Sequence, residues 1–250
     1  MRVFVVLLAG LLAMTGTAFA AARRCGELHG TGGLVVPLPE MHAQLRPGAS
    51  LQVLAVGSAR VFESEPVGDA AATSAGIYAF PRQMARALEA AIPGLTVTVT
   101  LRGRRGMAAS DMVPLIRAEM AAHRYGLVLW QTGTVEAVQN ISPDDFAATL
   151  LDGVDAVRGV GADIVLIDPA FSRFLEVNTD LGRYEEALQQ AAFTPGVALF
   201  HRFDLMRGWA SDGQIDLERM GGSERTQAIE RIQVCIGERL ARLVMAGAKL

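Results

Sequence analysis

The feature that most constrains the fold is a regular alternation of short apolar segments with longer segments of helical periodicity. Five apolar or β-branched segments have the length and flanking residues of buried strands: residues 50–56, 96–101, 126–131, 163–168 and 196–200. Segments with apolar residues three or four positions apart follow them and predict helices: residues 78–92, 110–123, 142–157, 181–192 and 223–245. Strands connected in this way form parallel sheets with both faces covered. The sequence therefore predicts an α/β fold, a three-layer sandwich with a central five-stranded parallel sheet covered by helices on both faces.

The amino terminus has the pattern of an export signal. Met1 and Arg2 precede an almost unbroken apolar run over residues 3–14, and Ala18-Phe19-Ala20 fits a signal-peptidase site. The run is shorter than the roughly 20 residues of a membrane span, so cleavage is favoured over an uncleaved anchor. We therefore expect a signal peptide over residues 1–20, an entry segment over 21–47 and one domain over 48–250. The mature protein is expected in the periplasm or outside the cell, without a membrane span.

The two cysteines, Cys25 and Cys235, predict a disulfide. In an oxidising compartment an isolated pair of cysteines indicates a bond between them, and the alternative is two buried thiols. The four histidines lack the close spacing of metal ligands, so neither a metal nor another cofactor is expected. The formal net charge of -3 gives no general attraction for nucleic acid.

Motifs after the first three predicted strands resemble successive blocks of the SGNH/GDSL hydrolase superfamily. They are Gly57-Ser58-Ala59, Gly103-Arg104-Arg105-Gly106 and Gly133-Thr134-Val135-Glu136. In that superfamily these blocks supply the nucleophilic serine, an oxyanion-binding glycine N–H and an oxyanion-binding asparagine. A fourth block, Asp-x-x-His near the carboxyl terminus, supplies the base and its acid partner. The resemblance extends from Leu51 to about Leu243 and implies an ester-hydrolase fold.

Two of these three motifs lack the side chain that the resemblance requires. Ala59 falls on the nucleophile position, and a methyl group cannot attack an ester carbonyl. Gly106 keeps the oxyanion glycine, but Val135 replaces the asparagine. Losing one such donor typically costs about 2.7–4 kcal/mol of transition-state stabilisation.

The fourth block has two possible registers. One aligns Glu224 and Gln227 with the family's aspartate and histidine, and the other aligns Asp216 and Arg219. Neither glutamine nor arginine acts as a general base near neutral pH. The resemblance therefore implies no base in either register.

Ser58 and His201 form the alternative catalytic pair. Ser58 lies one residue before the nucleophile position, and His201 follows the fifth predicted strand. A nucleophile and its base must approach to about 2.6–3.2 Å, and a displacement of one residue at a tight turn redirects a side chain. The simpler interpretation is that Ser58 bonds nearby backbone in a turn and that His201 is an ordinary, partly exposed histidine.

Arginines in the second motif predict an anion-binding site at the carboxyl ends of the strands, where ligands of such folds bind. Guanidinium groups recognise carboxylates, phosphates and acidic sugars. The expected ligand-binding residues are Gly57, Ser58, Arg102, Arg104, Arg105, Gly106, Gly133 and Glu136. The alternative is a solvated loop whose arginines are neutralised by nearby glutamates.

These observations favour an exported, non-catalytic protein of the SGNH fold. By resemblance, its ligand would be an acyl-ester or anionic carbohydrate of an envelope polymer, or a protein partner of the same pathway. The alternative is an active esterase or acyltransferase of the carboxylesterase or acetylesterase type, with an unassigned nucleophile such as Ser58. A third interpretation is a structural envelope protein without a small ligand.

Overall fold

The structure is a computed structural model that describes Cys25, residues 32–59 and residues 79–249. Its five strands form one parallel sheet in the order β2-β1-β3-β4-β5. They are β1 (Ser50–Gly57), β2 (Thr96–Gly103), β3 (Leu127–Gln131), β4 (Asp163–Ile167) and β5 (Val197–Phe200). All five predicted strands are confirmed. The predicted signal peptide lies outside the described residues.

Helices cover both faces of this sheet, which confirms the predicted three-layer sandwich. They are α1 (Pro39–Gln44), α2 (Phe80–Ala91), α3 (Ala109–Ala122), α4 (Thr134–Gln139), α5 (Pro143–Arg158), α6 (Arg173–Asn178), α7 (Leu181–Ala191), α8 (Arg202–Ser211) and α9 (Gly222–Gly247). The five predicted helices correspond to α2, α3, α5, α7 and α9. The other four helices have ten residues or fewer, too few turns to produce a clear apolar period in the sequence.

Alternate residues of each strand contribute to two separate apolar cores. In β3, Leu127 and Leu129 belong to the core beneath α2 and α9, whereas Val128 and Trp130 belong to the core beneath α3, α5 and α7. This alternation is the expected consequence of the two-residue period of a strand. We call the two sides of the sheet the α2/α9 face and the α3/α5/α7 face.

The amino-terminal part of the chain packs onto the edge of the sheet and onto the last helix. Cys25 and Cys235 of α9 form a disulfide with Cα atoms 5.4 Å apart, which confirms the predicted bond. Gly33 forms an antiparallel bridge with Phe200 of β5, and the N–H of His201 donates to the carbonyl of Gly32 at 2.7 Å. Among the described helices, none combines the length and apolarity needed to cross a bilayer.

Candidate functional site

The candidate site lies at the carboxyl edge of the sheet, where four strands end at the same level. The parallel pairing aligns Gly57, Gln131, Ile167 and Phe200 in one row across β1, β3, β4 and β5. The residues that directly follow this row are Ser58, Thr132, Asp168 and His201. Parallel pairing therefore assembles at one edge polar residues that are far apart in the sequence.

Ala59, at the family's nucleophile position, is partly buried and packs against the apolar core of the α2/α9 face. Ser58, the residue before it, is also partly exposed. Strand β2 approaches this turn closely: a Cβ on Gly103 would lie 2.1 Å from the carbonyl oxygen of Gly57, and Gly103 has a φ of 139°. Glycine is needed there because any side chain would collide with the end of β1.

The predicted arginine cluster is divided by its contacts. Arg102 Nε donates to Glu119 Oε1 at 2.5 Å, and Tyr125 donates to the other carboxylate oxygen at 2.8 Å. Burial tends to raise the pKa of Glu119, but the hydrogen bonds from Tyr125 and Arg102 lower it below its usual range. Arg104 and Arg105 are exposed on the turn that leads to Gly106. Arg102 is thus already engaged in an ion pair although its side chain is 34% exposed, whereas no ion pair is found for the exposed Arg104 and Arg105 within the described part of the chain.

Glu136 joins the loops after β2 and β3. Its buried carboxylate accepts hydrogen bonds from the N–H of Ala109 at 2.5 Å, the N–H of Gly133 at 2.9 Å and the hydroxyl of Thr132 at 3.2 Å. A carboxylate with three such donors is well satisfied although it is almost fully buried. Glu136 therefore positions these loops, while Val135 beside it on α4 is half-buried.

The two registers of the fourth block fall in different environments. Glu224 and Gln227 are exposed and lie within α9 rather than before it. Asp216 lies before α9 and accepts from both terminal nitrogens of Arg173, at 3.0 and 2.7 Å. This contact lowers the pKa of Asp216 and raises that of Arg173. Arg219 also contacts Asp216, with 3.4 Å between Nε and Oδ2, so this carboxylate fixes the loop between α8 and α9.

The contact between His201 and Asp168 is not predicted by any sequence motif. Asp168 is almost fully buried: its Oδ1 accepts from the N–H of Phe203 at 2.8 Å, and its Oδ2 lies 3.6 Å from His201 Nδ1. The nearby carboxylate raises the pKa of His201, whereas burial raises the pKa of Asp168 itself. The two residues directly follow neighbouring strands, a signal that becomes visible only when the strand order is known.

Arg202, the next residue along the chain, also lies outside the sequence motifs. It is 6% exposed, and its guanidinium carbon lies 6.0 Å from the centre of the Phe80 ring. Phe80 belongs to the core of the α2/α9 face. His201 and Arg202 therefore direct their side chains to different surroundings, the first toward Asp168 and the second toward α2.

No group of three or more histidine, cysteine or acidic side chains suited to a metal ion occurs among the described residues. A cavity of about 540 Å³ lies at the opposite edge of the sheet, beside the amino ends of β3 and β4. Its lining includes Glu40, Gln44, His123 and Arg124. None of the strand-end motifs contributes to this cavity.

The fold is that of the SGNH/GDSL hydrolase superfamily, as solved structures of similar fold show. The acetylxylan esterase Axe2 from Geobacillus stearothermophilus has a TM-score of 0.59 at 15% identity, covering 83% of this chain and 97% of that chain. A member of the lipolytic protein G-D-S-L family from Veillonella parvula DSM 2008 has a TM-score of 0.55 at 12% identity, covering 77% and 96%. TesA has a TM-score of 0.56 at 15% identity, and the match covers 77% of this chain and 97% of TesA.

Within this superfamily, the sequence identifies a particular family. Residues 31–250 match the model of the non-GDSL lipase-like family, and the chain belongs to that family. No curated protein matches the sequence. The predicted membership of the SGNH/GDSL superfamily is confirmed.

Proposed function

We propose that this chain is a non-catalytic member of its family that binds a ligand at the carboxyl edge of the sheet. The observation that carries this proposal is Ala59, an apolar side chain packed on the core at the family's nucleophile position. Val135 removes the amide donor, and neither register of the fourth block contains a histidine. Three different roles are changed, so no single shift in alignment restores the family's chemistry.

Ser58 is poorly placed to substitute for the missing nucleophile. Ser58 directly follows Gly57 at the end of β1, and His201 directly follows Phe200 at the end of β5. Gly57 and Phe200 lie in the same row across the sheet, and β3 and β4 separate them. Three strand spacings separate β1 from β5, which amounts to about 14 Å. A serine and a histidine that follow this row cannot bridge that distance with a contact of about 2.6–3.2 Å.

Ester hydrolysis by the purified protein tests the proposal. Short-chain p-nitrophenyl esters should be hydrolysed no faster than in buffer, and a serine-directed fluorophosphonate should not label the protein. Ser58→Ala is the matched variant. Hydrolysis or labelling that disappears in Ser58→Ala would overturn the proposal.

An esterase is the second candidate function, and the contact between Asp168 and His201 favours it. A buried carboxylate beside a histidine is the arrangement that orients a general base and stabilises its protonated form. The related structures named above include an acetylxylan esterase, so an active enzyme would be of the ester-hydrolase type. Under this alternative, hydrolysis requires His201, and His201→Gln abolishes it.

We also propose that the protein is exported and that its ligand is an acylated or anionic carbohydrate, or a protein partner in the cell envelope. The apolar segment with Ala18-Phe19-Ala20 and the disulfide support export. Cell fractionation and amino-terminal sequencing test it. Export predicts a mature protein outside the cytoplasm that begins at Ala21, and an intact Met1 in the cytoplasmic fraction contradicts it.

A further inference from the structure

Arg202 is a buried cation for which the described residues provide no hydrogen-bond acceptor. The side chain is 6% exposed, and its Nε is completely enclosed without a partner. Within the described part of the chain, its contacts are the face of Phe80 and an electrostatic attraction to Asp168. A buried charge is costly unless it is both paired and hydrogen-bonded.

Asp168 does not satisfy Arg202, because its carboxylate oxygens serve other groups. One oxygen accepts from the N–H of Phe203, and the other faces His201. Burial lowers the pKa of Arg202 to about 10, against the opposing effect of Asp168. The guanidinium nevertheless remains charged at neutral pH. It therefore has hydrogen-bonding capacity to offer to an anionic group.

Gln131 is a second unpartnered polar side chain at this edge. It is 3% exposed, and no described residue donates to its enclosed Oε1. The alternation along β3 places Gln131 on the α2/α9 face, like Leu127 and Leu129. Rotating its amide by half a turn presents either a donor or an acceptor. Two polar groups without partners thus occur on one face, at one end of the sheet.

The surroundings of Arg202 indicate the chemistry of the ligand. The guanidinium of Arg202 lies over the ring of Phe80, and Phe80 belongs to the same apolar core that includes Phe200 and that Ala59 packs against. A single guanidinium matches a carboxylate with two parallel hydrogen bonds. A phosphate dianion presents more charge and more acceptors than one arginine satisfies. We infer that Arg202 binds the carboxylate of a small organic acid with an apolar body, on the same face of the sheet as Ala59. This inference rests on the proposed role as a binding protein and is independent of the carbohydrate or protein partner proposed above.

Binding of octanoate to the full protein tests this inference. Octanoate should raise the Tm and give a measurable Kd by calorimetry, whereas 1-octanol and inorganic phosphate should not. Arg202→Met should weaken octanoate binding about tenfold or more, since charged hydrogen bonds are lost. Arg207→Met, at an exposed arginine of the same helix, is the matched control and should bind like the wild type.

The Tm of ligand-free Arg202→Met should be no lower than that of the wild type, because the variant removes a buried, incompletely paired charge. If this variant does not fold, the NMR chemical shift of the Arg202 Nε–H in the wild-type protein tests octanoate binding instead. Arg202→Lys identifies that resonance by its loss. Octanoate should shift it, and 1-octanol should not.

The inference is wrong if octanoate does not bind, if Arg202→Met binds it as well as the wild type, or if the resonance does not move. Equal binding of 1-octanol, or displacement of octanoate by equimolar phosphate, also overturns the assignment to an organic acid. Ester hydrolysis measured on the same sample separates the two proposals. Octanoate binding together with Ser58-dependent hydrolysis refutes only the non-catalytic role, whereas neither binding nor hydrolysis refutes only the Arg202 site.

Discussion

Reduction of the Cys25–Cys235 disulfide changes the stability of the protein without changing any side chain other than these two. The bond joins residues separated by 210 positions, nearly the whole described chain. In the chain-entropy model, closing a loop of this length stabilises the folded state by about 5 kcal/mol at 25 °C. A typical domain has a total stability of about 5–15 kcal/mol. The cross-link is therefore expected to supply a large fraction of the stability.

Urea unfolding of the oxidised and reduced protein, followed by circular dichroism, measures this effect. We expect the free energy of unfolding to fall by about 5 kcal/mol on reduction. Residual structure in the reduced unfolded chain would make the loss smaller. The Cys25→Ala/Cys235→Ala variant should respond to urea identically with and without reductant. A loss below about 1 kcal/mol on reduction would refute the chain-entropy reasoning for this protein.

Three further predictions concern single side chains. Glu136→Gln should lower the free energy of unfolding by about 2–3 kcal/mol, because an amide N–H replaces one of the oxygens that face backbone donors; urea unfolding measures it, and an unchanged value contradicts it. Gly103→Ala should lower the free energy of unfolding by about 3 kcal/mol or more, because its Cβ would collide with the carbonyl of Gly57. Gly208→Ala is the control in the same assay: a Cβ there has no neighbour within 4 Å, so the free energy of unfolding should stay the same or rise. The raised pKa of His201 means that its stabilising effect is fully present below about pH 6 and is lost as the pH rises through the folded-state pKa. The stability difference from His201→Asn should therefore shrink with rising pH, and Asp168→Asn should lower the pKa of His201 measured by NMR; a pKa that does not move contradicts the assigned cause.

The sheet was predictable from the sequence because burial on both faces leaves a local signature. The segments that became β1, β3, β4 and β5 consist largely of apolar residues, and the turns that follow them are rich in glycine or polar residues. The order of the strands is not local information. It depends on which helices pack together, and the alignment of Ser58 with Asp168 and His201 follows only from that order.

The roles of polar residues at the site were harder to predict than their positions. Glu136 was assigned to ligand binding because it lies in the third motif, yet its carboxylate is used by backbone N–H groups of two loops. Arg102 was grouped with Arg104 and Arg105 because the three residues are close in the sequence. In the structure, however, its Nε donates a hydrogen bond to Glu119 on α3. Arg202 could not be predicted as a site residue because it belongs to none of the strand-end motifs. Its significance comes from burial without a hydrogen-bond partner among the described residues, and this burial depends on the tertiary fold that brings Arg202 of α8 next to Phe80 of α2.

The antiparallel contact of Gly32 and Gly33 with β5 makes the two edges of the sheet unequal toward other polypeptides. On the β5 side, the backbone of Phe200 and His201 is already paired by the protein's own amino-terminal segment. An incoming strand would first have to displace that segment. On the other side, β2 alternates exposed and partly buried residues along the threonine-rich half of the strand, with no described strand beyond it. Edge-to-edge self-association, where it occurs, is therefore expected to begin at β2.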